Sequence, residues 1–185
     1  MSMKFPLGYY FSGRKGKIKH SNKAFDKVAQ VILDHIGKII QSPHDLQKKL
    51  KHARHKLSHD PTYECKEVQH YAESLSMLVQ GIYRGIYTMN THRADVFYTR
   101  VFEKLNDDEL MEKFEIFKDV FRQALDPAEK MIEGIEGIGQ MAYDPAQFNQ
   151  MMQKLLTHRT HAIKIKSWME EYKKRLKKAG LKYYG

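Results

Sequence analysis

Ten histidines are the residues of this sequence with the widest capacity for chemistry. His55 and His59 are four residues apart and His158 and His161 are three apart, spacings that place two imidazoles on one face of a helix. Such pairs could bind a divalent metal ion or transfer protons. However, the neighbours of both pairs are cationic, and the glutamate of a metalloprotease helix is missing between His55 and His59. We therefore expect surface histidines, no metal site and no cofactor.

A second motif with catalytic potential is the segment Arg54-His55-Lys56-Leu57-Ser58-His59. It matches the Arg-x4–6-His pattern and resembles that of the HEPN-type ribonucleases, an all-helical family. The resemblance implies that Arg54 and His59 would act together at a dimer interface. The pattern is short, and the segment from Arg14 to His20 satisfies it as well. A HEPN-type ribonuclease is thus an alternative, and our first expectation is a protein without enzymatic activity.

The charges are segregated along the chain. Residues 1–59 contain 13 Lys/Arg and 3 Asp/Glu, residues 60–153 contain 9 and 17, and residues 154–185 contain 10 and 2. A basic–acidic–basic order of this size is typical of a protein that binds a polyanion with part of its surface. Attraction between the ends and the middle, within one chain or between subunits, is the alternative explanation.

The first basic segment has the composition of a nucleic-acid-binding arm. In residues 9–20, aromatic side chains lead into cations separated by glycines. Lysine and arginine neutralise phosphates, and aromatic rings stack on bases. The cations predicted to bind nucleic acid here are Arg14, Lys15, Lys17 and Lys19, followed by Lys23.

The densest positive segment follows Pro43. Within residues 43–59 only Leu46, Leu50 and Leu57 form an apolar stripe, so most of a helix over this segment would be available to a partner. Its cations predicted to contact phosphates are Lys48, Lys49, Lys51, Arg54 and Lys56. No base-reading motif is present, so we expect contacts to the backbone and little sequence preference.

Apolar spacing and proline positions predict the elements that hold these residues. Apolar residues recur at three- and four-residue steps, and no period-two β-branched run occurs. Four of the five prolines follow Ser or Asp, a helix start signal. The predicted helices span about 22–41, 43–59, 62–89, 93–105, 107–125, 127–142 and 145–179, with Gly180 as a C-cap.

These elements predict an all-α fold: a helical bundle with an extended basic N-terminal arm and a long basic C-terminal helix. We divide the chain into the arm (1–20), a basic helix pair facing nucleic acid (21–60) and a bundle with an acidic middle (61–185). With one cysteine, no disulfide forms within the chain. The apolar stretch at 75–87 is too short to span a membrane and contains Arg84, so no span is expected.

This layout of arm, basic helix pair and bundle resembles the major coat proteins of filamentous archaeal viruses of the lipothrixvirus type. In that family, paired subunits clasp linear double-stranded DNA in the A form with N-terminal helices. The resemblance implies DNA contacts from the arm and from the helix at 43–59, a virion location and a like subunit as partner. Without it, the expected location is inside a cell.

Three functional hypotheses follow from the sequence. The first is a structural protein that packages nucleic acid, with double-stranded DNA favoured over RNA, as a self-associating subunit. The second is the HEPN-type ribonuclease with Arg54 and His59. The third is a helical protein-interaction module without nucleic acid.

Overall fold

The computed structural model describes residues 14–105 and 107–185, and every regular element in this part of the chain is helical. The all-α prediction is therefore confirmed. The elements are α1 (Arg14–His59), α2 (Lys66–Met89), α3 (His92–Leu105), α4 (Asp108–Ile135), α5 (Ile138–Met141), a 3-10 turn (Pro145–Gln147) and α6 (Phe148–Lys178). Within the described ranges, no helix is long and apolar enough to cross a membrane.

The four long helices form a bundle of alternating direction. Each packs against two neighbours, in the order α1, α2, α4, α6 and back to α1. For α1 and α6, Gln30 pairs with Lys173 towards one end of the bundle and Arg54 pairs with Asn149 towards the other, so the two helices are antiparallel. This is the up-down-up-down arrangement that short connections favour.

The core follows from the apolar spacing of each helix. Along α1, Phe25, Ile32, Ile36 and Ile39 are buried, as their three- and four-residue steps predict, whereas Val31 is on the exposed side. The short helix α3 covers one end of the bundle, where its Phe102 ring packs on Phe25. An aromatic cluster thus closes this end, which fixes the start of α4 against α1.

Two predicted helix boundaries are wrong because two prolines lie inside helices. Pro43 is buried within α1 and Pro127 within α4. A proline nitrogen cannot donate to the carbonyl four residues earlier. At Pro43 that carbonyl, of Ile39, accepts a hydrogen bond of 2.7 Å from the Ser42 hydroxyl instead. The predicted pair of basic helices is therefore one helix of 46 residues.

The predicted arm also differs from the structure where the structure describes it. Residues 14–20, expected to be extended, form the first turns of α1. Gly16 costs only about 1 kcal/mol in a helix, which extension of an already formed helix can offset. Residues 1–13 of the predicted arm lie outside the described residues.

The C-terminal helix ends as predicted. Gly180 has φ +74°, the left-handed conformation that glycine adopts most readily. The N–H of Leu181 donates to the carbonyl of Leu176, and the N–H of Gly180 donates to the carbonyl of Lys177, which is the Schellman pattern. The chain beyond turns back towards α1.

Candidate nucleic-acid interface

The fold places the two basic parts of the sequence side by side. Residues 23–59 of α1 and all of α6 together contain 17 Lys/Arg and 5 Asp/Glu, whereas α2 and α4 together contain 6 and 10. Since α1 and α6 are neighbours in the bundle, their outer sides form one continuous surface. The bundle therefore has a positive α1–α6 side and a negative α2–α4 side.

The predicted cations on the second half of α1 lie in three directions. Lys51 and Arg54 are on the flank towards α6, where Arg54 Nη2 donates to Asn149 Oδ1 at 2.7 Å. Lys49 faces α2, with its Nζ 4.0 Å from Glu67 Oε2. Lys56 follows Lys49 by two turns and shares its flank. Lys48 points away from the bundle between the two flanks.

These cations also differ in how free they are. Lys48, Lys51 and Lys56 are exposed and make no hydrogen bond or ion pair with any residue that the structure describes. Lys49 is partly buried, and its Nζ lies 5.6 Å from the centroid of the Tyr71 ring. Lys51 on the α6 flank and the neighbouring, outward-pointing Lys48 are therefore the predicted residues most available to a phosphate on this side of the bundle.

The remaining predicted residues lie far from the cations on the second half of α1. Lys23 is partly buried, with its Nζ 5.9 Å from the centroid of the Tyr184 ring. It precedes Lys48 by 25 residues, a helical rise of about 38 Å. Arg14, Lys15, Lys17 and Lys19 begin α1, further away still. The predicted site residues thus form two groups on one helix.

Cations of α6 join the second-half group on the same side of the bundle. Lys173 Nζ donates to Gln30 Oε1 of α1 at 3.1 Å, which fixes the side of α6 that faces α1. Arg159 and Lys166 precede it by two and by one heptad, and Lys177 follows by one turn, so all four share this side. The seven-residue spacing is visible in the sequence, but only the packing of α6 on α1 gives it significance.

A groove between α1 and α6 opens within this surface. It has a volume of about 410 Å³ and is lined by Gln47, Leu50, Lys51, Arg54, Asn149 and Met152. On the adjoining turns of α6, Leu156 and Ile163 are 40% and 47% exposed. The positive surface thus contains an apolar strip.

The alternative ribonuclease motif is not assembled within one chain. Arg54 and His59 are five residues apart, about 140° around the helix axis. The Nδ1 of His59 donates to the carbonyl of His55 at 2.8 Å, while Arg54 faces α6. Their side chains therefore diverge, and any joint action would need a second subunit.

One histidine prediction is wrong. His158 is buried, because Gly134 of α4 leaves room for its imidazole between α4 and α6. Desolvation lowers the pKa of His158, and the nearby His161 and Lys154 lower it further. His161, partly buried, also has a lowered pKa through desolvation. Among the described residues, no group of three or more His, Cys, Asp or Glu is arranged to hold a metal ion.

Comparisons with protein-family models, with curated proteins and with solved structures find no match for this chain.

Proposed function

We propose that this protein binds nucleic acid through its α1–α6 side, without sequence preference and without catalysis. The observation that carries the proposal is the convergence of two separate basic segments on one side of the bundle. We call this surface the basic face; its residues are Lys48, Lys51 and Arg54 of α1 and Arg159, Lys166, Lys173 and Lys177 of α6.

The dimensions of the basic face suit a double helix. From Asn149 to Lys177, α6 rises about 42 Å, which is longer than the roughly 34–36 Å of one turn of B-DNA. Cations at intervals of about two helical turns can each neutralise a phosphate along such a rod. Two antiparallel helices without a base-reading motif favour recognition of the backbone, and we favour duplex DNA over RNA as the ligand.

Packaging would be the larger-scale form of the same activity. Subunits that cover DNA with their basic faces would present their α2–α4 sides to solvent or to neighbouring subunits. The charge difference between the two sides favours contacts between copies. The resemblance to filamentous-virus coat proteins agrees with this arrangement, and a virion location would follow from it.

Leu156 and Ile163 favour a second candidate, a protein-interaction module. Exposed aliphatic side chains contribute little to phosphate binding but are typical of a surface that contacts another protein. On this alternative, the basic face would bind an acidic protein partner.

A salt series with charge reversals tests the proposal. Binding to duplex DNA and to RNA is measured between about 50 and 200 mM salt, and particle size is followed in the same samples. Lys48→Glu/Lys51→Glu and, separately, Arg159→Glu/Lys166→Glu should weaken binding and reduce the salt slope by about 1 for each lost phosphate contact. The matched control is Arg84→Glu/Arg122→Glu, which changes the charge equally on exposed positions of α2 and α4.

Binding that depends on the basic face but not on the control, with growth into large particles, would support the packaging subunit. Equal losses in all three variants would mean a general charge effect and would refute the proposed surface. No binding at the lowest salt would favour the protein-interaction module. RNA cleavage that disappears in His59→Ala would favour the ribonuclease.

A further inference from the structure

The α1–α6 groove brings together three kinds of side chain. Leu50 is buried at its floor and Met152 is partly buried in its wall. The amides of Gln47 and Asn149 are at its edge, and Lys51 and Arg54 supply positive charge. The groove thus has an apolar surface with amides and cations at its margin.

The hydrogen bond between Arg54 and Asn149 organises this groove. A guanidinium group only donates, so the 2.7 Å contact fixes the Oδ1 of Asn149 towards Arg54 and leaves the amide N–H groups for another acceptor. The remaining N–H groups of Arg54 can donate to an anion. Within the described chain, Gln47 and Lys51 make no hydrogen bond, so both side chains are available to a ligand.

We propose that this groove binds one unpaired nucleotide. The base would lie against Leu50 and Met152, its polar edge would face the amides of Gln47 and Asn149, and its phosphate would be held by Lys51 and Arg54. The inference rests on the proposed nucleic-acid binding and names the part of the ligand that the groove selects.

The chemistry of the groove favours a nucleotide over an acidic peptide or a lipid. A base has a flat apolar face, which can pack on Leu50, and a polar edge, which can form hydrogen bonds with the amides of Gln47 and Asn149. A lipid chain would make no hydrogen bond with the amides of Gln47 and Asn149. An acidic side chain would not cover the apolar surface of Leu50. A paired base is stacked within its helix and cannot enter, so the groove predicts a preference for unpaired positions.

The test compares one duplex in two forms: blunt, and with a single unpaired nucleotide. Affinities are measured by fluorescence anisotropy for the wild type and for Asn149→Ala and Met152→Ala. The matched controls are Gln150→Ala, which removes an exposed amide next to Asn149 in the chain, and Met77→Ala, which is exposed on α2. Thermal unfolding of each variant shows whether the fold is retained.

We expect the wild type to bind the bulged duplex about tenfold more tightly than the blunt duplex, because one base leaves water to lie against Leu50 and Met152. Asn149→Ala and Met152→Ala should both lose this preference, and the controls should keep it. Met152→Ala should leave blunt-duplex binding unchanged, because among the described residues Met152 contacts no cation of the basic face through a hydrogen bond. Duplex binding without any preference would refute the groove and leave the proposed function standing. Absence of all binding would refute both, and displacement of the oligonucleotide by an acidic peptide at equal concentration would overturn the nucleotide assignment.

Discussion

The carboxylate of Asp26 and the ammonium of Lys113 lie 2.7 Å apart inside the bundle, where both side chains are almost fully shielded from solvent. The same carboxylate accepts hydrogen bonds from the hydroxyl of Tyr172 at 2.9 Å and from the N–H of Tyr184 at 2.7 Å. Lys113 also donates to the carbonyl of Lys182 at 2.8 Å. This network joins α1, α4, α6 and the chain after α6, and it satisfies the charges that the core excludes from water.

Removal of either charge should destabilise the bundle strongly. Asp26→Leu or Lys113→Met leaves a buried charge without its partner, and we expect each to lower the free energy of unfolding by about 3–5 kcal/mol. The double variant Asp26→Leu/Lys113→Met should lose much less than the sum, because no unpaired charge remains. Urea denaturation measures all three. Losses that simply add would show that the two groups act independently, and Lys130→Met serves as the exposed control.

The contact between Ser42 and Ile39 predicts a dependence on Pro43. Ser42→Ala leaves the Ile39 carbonyl buried without a donor and should lower the free energy of unfolding by about 1–3 kcal/mol. In a Pro43→Ala background, the new backbone N–H can donate to that carbonyl, so the same change should cost less. A double-mutant cycle by chemical denaturation measures the difference. Equal costs in both backgrounds would mean that the serine does not compensate for the proline.

The Ser42-Pro43 sequence also shows which part of the fold cannot be predicted from the sequence. Helix α3, the end of α2 and the Gly180 cap follow from local signals and agree with the structure. Ser42-Pro43, by contrast, has the same appearance whether serine caps a new helix or satisfies a carbonyl inside an existing one. The choice depends on burial of Pro43 against other helices, and that is tertiary information.

Gly134 should tolerate no side chain. A Cβ at this position would overlap the imidazole of His158, so Gly134→Ala should lower the free energy of unfolding by about 1–3 kcal/mol through overpacking. Gly37 is the control, because a Cβ there meets no atom within 4 Å. Gly37→Ala should instead stabilise α1 by about 0.5–1 kcal/mol. Thermal unfolding distinguishes the two, and a stabilised Gly134→Ala variant would contradict the close packing of α4 on α6.

His158 predicts a loss of stability in acid. Its pKa in the folded state is below the ordinary value of 6.5, so the unfolded chain takes up a proton first as the pH falls. The free energy of unfolding should therefore be unaffected by this group above about pH 7 and should decrease below its ordinary pKa. His158→Leu should remove this part of the pH dependence, whereas His92→Leu, at an exposed position, should not. Denaturation midpoints at several pH values test this, and identical profiles for wild type and His158→Leu would contradict it.

The candidate interface was predictable in composition but not in arrangement. Both basic segments are evident in the sequence, yet nothing local indicates that α6 returns beside α1. The Arg54–Asn149 contact joins residues 95 positions apart, and the groove lies between the two helices that it connects. Conversely, Lys23 and Lys48 belong to the same predicted pair of basic helices, but 25 residues of α1 separate them.

The turn at Gly180 determines how late in synthesis the hydrogen bonds to Asp26 can form. Asp26 is synthesised early, but two of its partners, Tyr172 and Tyr184, follow it by 146 and 158 residues. At a synthesis rate of roughly 5–20 residues per second, these partners follow the carboxylate by a time on the order of ten seconds. Helices can form on the ribosome as they emerge, but the hydrogen bonds to Asp26 are complete only after Tyr184 has been synthesised and has folded back onto α1.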